Sequence, residues 1–250
     1  MLREEDKEIA DTFTRLFGAK HKIVLGWTPV EVKQKGKTIS LIIEQNKTRK
    51  TLTAGSLLIA TGRVPNTDIL EVKRGGIDLD ERGYVKTNDY LETSAPNTWA
   101  FGDIAGKYLL KHSANLEAKF VFNNMYSEKK KVDYWPMPHA IFTSPQIAAV
   151  GYTEEELKEK KVAYAIGKYN YKNTGMGAAL AEKDGFVKIL AGSDHKILGC
   201  HIIGPDASAI IHEVVVAMKL GATTEQLAEV THIHPALPEV VQRAAASVKF

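Results

Sequence analysis

The sequence predicts an α+β fold, and three observations lead there. Ile9, Phe13, Leu16 and Phe17 recur as the apolar positions on one helical face do. Short β-branched and aliphatic runs, such as Thr38-Ile39-Ser40-Leu41-Ile42-Ile43, have strand length. From Ile147 onward, strand-like runs come before helix-like runs, the segregated order of an α+β unit. Composition agrees with a packed chain: of 250 residues, 44% are apolar and 25% charged, which excludes disorder for most of the length.

The first helix carries Ile9 to Phe17, with Gly18 as its expected end. Strand candidates follow at Lys22 to Leu25, closed by Gly26, then Val30 to Val32, and Thr38 to Ile43 between turn residues Gly36 and Asn46. Leu57-Leu58-Ile59-Ala60 is a continuous apolar run, as a strand buried on both faces would be. Residues 67–98 are polar and turn-rich. A short strand, Thr98 to Phe101, stops at Gly102-Asp103, and a helix is expected from Ser113 to Tyr126. Further on, Ile147 to Val150, Val162 to Tyr169, Phe186 to Leu190 and Ile197 to Ile203 are strand candidates. Thr153-Glu154-Glu155-Glu156 fits a capping box. Helices are expected over Ala207–Leu220, Thr224–Val230 and Pro238–Val248.

Several function classes fall away early. Lys plus Arg is 33 and Asp plus Glu 30, so the net charge of +3 is too small and dispersed to favour nucleic acid. The charged opening Arg3-Glu4-Glu5-Asp6 denies a secretory signal its apolar core, and no apolar run approaches the ~20 residues that span a bilayer. No membrane partner is expected. Cys200 is the sole cysteine, so neither an internal disulfide nor a multi-cysteine zinc site can form, and a cytoplasmic address fits. In its strand pattern Cys200 is expected to pack, with His201 structural beside it.

Three constellations could carry chemistry. In His232-Ile233-His234-Pro235-Ala236-Leu237-Pro238-Glu239, a carboxylate near a helix start could accept one imidazole N–H and leave the other nitrogen to exchange a proton. The same residues also suit a loop His before a helix whose dipole favours Glu239. His232 could compete for the role, and a His-x-His metal site lacks an evident third ligand. Asp103, at the end of a strand, could accept from a sugar or ribityl hydroxyl, and the start of the next helix suits an anion or an electron-rich ring. Taken in isolation, the Gly-Asp pair favours an ordinary turn with Asp103 as a local cap. In Thr61-Gly62-Arg63-Val64-Pro65-Asn66, Gly62 lets a ligand approach the backbone, or simply ends a strand.

Absent motifs count too. The only Gly-x-Gly is Gly175-Met176-Gly177, with Leu180 where a phosphate-binding motif needs its third glycine. Neither a P-loop nor a Gly-x-Ser-x-Gly elbow occurs.

Taken in order, Ala60 to Asn66, Phe101-Gly102-Asp103 through Ala114, Phe142-Thr143-Ser144-Pro145 through Glu154, and His234-Pro235 with Glu239 resemble the second half of the flavin-dependent pyridine nucleotide–disulfide oxidoreductases. The dihydrolipoamide dehydrogenase branch is most similar, with mycothione and mercuric reductases nearby. The resemblance covers nearly the whole chain. It implies a partial nucleotide-binding α/β region followed by an α+β interface (dimerisation) domain. The expected divisions are 1–65 for a partial nicotinamide-nucleotide domain, 66–132 for a partial flavin-binding segment and 133–250 for the interface domain. It also implies that Asp103 holds the ribityl chain and that Leu109, Leu110, Lys111 and His112, with Ala114, lie against the isoalloxazine. Gly62 would lie near the nicotinamide. His234, oriented by Glu239, would be the acid–base partner of a thiol across a homodimer.

The family's redox cysteine pair and its glycine-rich nucleotide motifs are not in this sequence. The expectation is therefore a carboxy-terminal portion, inactive and without stably bound FAD or NAD(P) alone, that a separate amino-terminal half chain would complete. A catalytically idle dimerisation or interaction module is the rival. Residues 1–65, an incomplete nucleotide domain, are expected to be mobile or remodelled. The terminal Ser247-Val248-Lys249-Phe250 holds no vicinal cysteines, which counts against mercury reduction.

Overall fold

The computed structural model describes residues 1–250 and separates into two units. Residues 15–64, with Met1, form the first; residues 2–14 and 65–250 form the second. Helix α1 (Lys7–Lys20) runs through the boundary and continues past Gly18.

The first unit holds an antiparallel meander of β1 (Thr28–Lys35), β2 (Thr38–Gln45) and β3 (Thr48–Ala54). Asn46 and Lys47 join β2 to β3 with φ of 49° and 64°, the left-handed pair that suits a two-residue hairpin. Strand β3, Thr48-Arg49-Lys50-Thr51-Leu52-Thr53-Ala54, is not expected from its charges; pairing with β2 along its whole length makes it a strand.

Two expected strands do not form. Lys22 to Leu25 and Leu57 to Ala60 join no ladder, and Leu58 and Ile59 are 88% and 73% exposed. Apolar runs of this kind suit strands of a parallel sheet, whose neighbours come from distant segments. No segment of this chain pairs with them, so their backbone stays irregular. In the second unit, Thr98 to Phe101 is likewise reduced to one bridge, Glu92 to Trp99.

The second unit begins its regular structure with α2 (Lys111–Tyr126), β4 (Pro138–Ile141), β5 (Gln146–Gly151) and α3 (Glu154–Glu159). Then come β6 (Tyr164–Asn170), α4 (Gly175–Ala179), β7 (Phe186–Gly192) and β8 (Ile197–Gly204). Helices α5 (Ala207–Lys219), α6 (Thr224–Glu229) and α7 (Glu239–Ala246) close the chain. The sheet is antiparallel throughout, in the order β4-β5-β8-β7-β6. The expected capping box forms: Glu156 N donates to Thr153 Oγ1 at 3.1 Å, and Thr153 N to Glu156 Oε2 at 2.8 Å.

Val187, Ile189, Cys200 and Ile202 face the helices and form the core with Ile211 and Val214 of α5 and Val241 and Ala244 of α7. Alternation sends Lys188 to the opposite face, where it is nonetheless buried. Residues near the start of the chain explain that burial. Lys188 Nζ donates to both Asp6 oxygens at 3.0 Å and to Glu154 Oε2 at 2.6 Å, and Glu154 N donates to Asp6 Oδ2 at 3.3 Å. Asp6 is fully buried. A segment with a charged opening thus covers one face of the sheet by placing its carboxylate on a buried ammonium.

Burial pushes the Glu154 carboxyl up, but bonds from Lys158, Lys188 and Tyr164 outweigh it and bring it down to about 2, against an ordinary 4.5. A depressed carboxyl contributes stability that is full above pH 4.5 and lost as the pH falls through 2. Glu154→Gln should therefore flatten the acid limb of the stability–pH profile, measured as the urea midpoint between pH 5 and pH 2. An unchanged acid limb would show that the carboxylate is not what the acid titrates.

Candidate functional site

Pro238 precedes the first residue of α7, Glu239, and the turn before it presents His234 to that carboxylate. His234 Nδ1 lies 2.9 Å from Glu239 Oε1, and Ala236 N donates to Glu239 Oε2 at 3.1 Å. The imidazole is 71% exposed and the carboxylate side chain only 10%. The hydrogen bond from His234, then that from Ala236, hold the Glu239 carboxyl below the usual range. An ionised Glu239 accepts from Nδ1–H, which leaves the lone pair on Nε2 of this largely exposed ring.

His232 does not compete. Its Nδ1 lies 2.8 Å from the Val230 carbonyl and its Nε2 3.1 Å from Glu213 Oε2, so both ring nitrogens are engaged. The side chain is buried. No group of three or more His, Cys, Asp or Glu side chains is placed to hold a metal ion. Cys200 is fully buried, and burial pushes its thiol far up, which keeps it a protonated core residue.

The second constellation is built around α2. Gly102 has φ +74°, and a Cβ there would lie 3.3 Å from that of Ala114, so the turn carrying Asp103 packs close to the helix start. Gly102 N donates to Glu117 Oε2 at 2.5 Å, and Tyr134 Oη donates to Glu117 Oε1 at 2.9 Å. The buried Glu117 therefore ties the Asp103 turn, α2 and the 133–138 strand approach together. No side chain caps α2 at Leu110. Leu110, Lys111 and His112 instead line a cavity of about 610 Å³ with Met137, Pro138 and Phe142 among its other walls. His112 Nε2 bonds the Pro138 carbonyl at 2.8 Å across it. Uncapped N–H groups at a cavity wall fit the electron-rich edge of a planar ring.

The two constellations do not meet within one chain: neither His234 nor Glu239 lines that cavity. Gly62 belongs to the first unit, with φ +126° and open space where a Cβ would stand.

Gly175 lies against the imidazole: a Cβ there would be 3.1 Å from His234 Cε1 and 3.3 Å from Pro235 Cβ. The sole sequence signal was the Gly175-Met176-Gly177 spacing itself, which names no partner.

Comparison with known proteins extends these observations. The profile for the pyridine nucleotide-disulphide oxidoreductases matches residues 1–118, and that for the dimerisation domain of the same family matches residues 137–245. The chain belongs to the pyridine nucleotide–disulphide oxidoreductase family. Mycothione reductase of Mycobacterium tuberculosis is 36% identical over 253 residues, covering 98% of this chain and 54% of that protein. Human mitochondrial dihydrolipoyl dehydrogenase is 34% identical over 250 residues, covering 98% and 49%. Among solved structures, the HOCl-induced flavoprotein disulfide reductase RclA from Escherichia coli shares the fold, with a TM-score of 0.89 at 24% identity, over 99% of this chain and 57% of that one. This member of the pyridine nucleotide–disulphide oxidoreductases thus spans about half the length of the curated relatives it matches. No helix in it is long and apolar enough to cross a membrane.

Proposed function

We propose that this chain is the carboxy-terminal portion of a flavin-dependent, dihydrolipoamide dehydrogenase-like disulfide oxidoreductase of the cytoplasm. It supplies the acid–base pair and the dimer interface and is inactive alone. The observation that carries this reading is the 2.9 Å bond from His234 to Glu239 on an imidazole that is largely exposed. His234 takes the proton of a substrate or enzyme thiol at Nε2, leaving a thiolate, and returns it in the reverse step. Glu239 holds the ring at Nδ1 and stabilises the imidazolium while the proton resides there. The family's cofactors are FAD and NAD(P), and a bound flavin supplies the two-electron link between pyridine nucleotide and disulfide. Asp103 would take the ribityl hydroxyls. Leu109 to His112, with Ala114, would hold the ring edge against the first turn of α2, and Gly62 would lie beside the nicotinamide.

The separation of His234 and Glu239 from the cavity lining supports a homodimer, in which a second copy would bring the two together. The 80% exposure of Ile233, next to His234, supports a covered face there. The lone buried Cys200 supports the need for a separate, cysteine-bearing amino-terminal half.

The test is reconstitution. Alone, the chain should be colourless and should not oxidise NADH or NADPH with a disulfide substrate. Mixed with a cysteine-bearing amino-terminal half of the same family, it should form a yellow species that does, followed by absorbance at saturating flavin. Turnover by the chain alone would refute the reading. A well-formed dimer that remains idle in every mixture would favour the rival, an assembly module without catalysis.

A further inference from the structure

We infer that Gly175 is a positioning residue for His234: its missing side chain leaves the space the imidazole needs to donate to Glu239. This rests on the acid–base reading of His234. Glu239 fixes the Nδ1 edge at 2.9 Å, and the bare Gly175 leaves room at the neighbouring Cε1, where a single Cβ would intrude at 3.1 Å. The imidazole is 71% exposed, so it can shift when that room is filled.

A side chain at Gly175 would displace the ring only if α4 could not give way, and α4 is anchored from below. Tyr171 is fully buried, and its hydroxyl donates to the Pro205 carbonyl at 3.2 Å. Thr174 is buried as well; its Oγ1 donates to Tyr171 O at 2.8 Å and accepts from Gly177 N at 3.1 Å. Gly177 allows that closure, since a Cβ there would stand 1.9 Å from Tyr171 O. The two glycines of the Gly-x-Gly therefore divide the work. Gly177 seats α4 on the Tyr171 anchor, and Gly175 leaves the imidazole its space. Gly175 is not in the left-handed region, so a side chain there strains the neighbour and not its own backbone.

Nitrogen-15 spectra of the histidines, with His234 assigned by loss of its signals in His234→Gln, read this directly. In the unaltered chain at a pH where the ring is neutral, the Nδ1-protonated tautomer should dominate. Gly175→Val should push the ring off Glu239 and lower the Nδ1–H to Nε2–H ratio about tenfold, the value of one charge-assisted hydrogen bond. Gly175→Ala should move it the same way by less, and decides the matter if the valine variant does not fold. Ala178→Val, on the exposed side of α4, should leave the ratio unchanged. An unaltered ratio in a folded Gly175 variant overturns the inference. The readout needs no reductase activity, so a failed reconstitution with a shifted tautomer would sink the proposed function and leave the positioning role standing.

Discussion

Replacing His234 by Gln in the reconstituted enzyme is expected to lower turnover by about 100- to 10,000-fold. The side chain of Gln can still reach Glu239, so the local fold should persist and dimer formation should not change. What it cannot do is carry a proton at the position of Nε2. The loss should fall on kcat and on kcat/KM together, because the proton is transferred only on the way to the transition state. Glu239→Gln should cost less, about 10- to 100-fold, because the base remains and only its orientation and the stabilisation of its cation suffer. Steady-state kinetics of the mixture checks both, with sedimentation to verify that the dimer survives. Undiminished activity in His234→Gln would remove the acid–base role outright.

The largest stability loss is expected at Lys188→Ala, about 3–5 kcal/mol by urea denaturation. The ammonium is 3% exposed and Asp6 not at all, so the alanine leaves a buried carboxylate without its cation. Burial by itself lowers the Lys188 ammonium, yet Glu154 and Asp6 together raise it above its ordinary value, so the charged form is the one the fold holds. Asp6→Leu combined with Lys188→Met should recover part of the loss, since a buried charge pair replaced by apolar groups need not destabilise. A double-mutant cycle isolates the coupling. Additive effects would mean that the two groups do not sense each other.

Local patterns were legible and remote ones were not. The helices α2, α5 and α7 form close to their expected bounds, and the α3 cap follows from four consecutive residues whose partners are neighbours in sequence. His234 and Glu239 stand five residues apart, close enough for their pairing to be considered, though only the fold shows that His232 is spent on Glu213. Lys188 looked like one polar position in an apolar strand; its partner Asp6 lies 182 residues away. Gly175 belongs by spacing to an incomplete phosphate motif, and nothing near it in sequence points to His234. Strand β4 is four residues long, beneath the length at which alternation speaks. Conversely, Leu57 to Ala60 had every local mark of a strand and lacked only neighbours, which composition cannot supply.

Those four residues also govern how the polypeptide behaves in a test tube. Residues 55–61, Gly-Ser-Leu-Leu-Ile-Ala-Thr, hold no charge and no proline, and their amide groups meet no ladder. Such a stretch is a template for copies of itself. Concentrating the purified material invites cross-β precipitation, and a lysine in place of Leu58 is the gatekeeper that would keep it in solution.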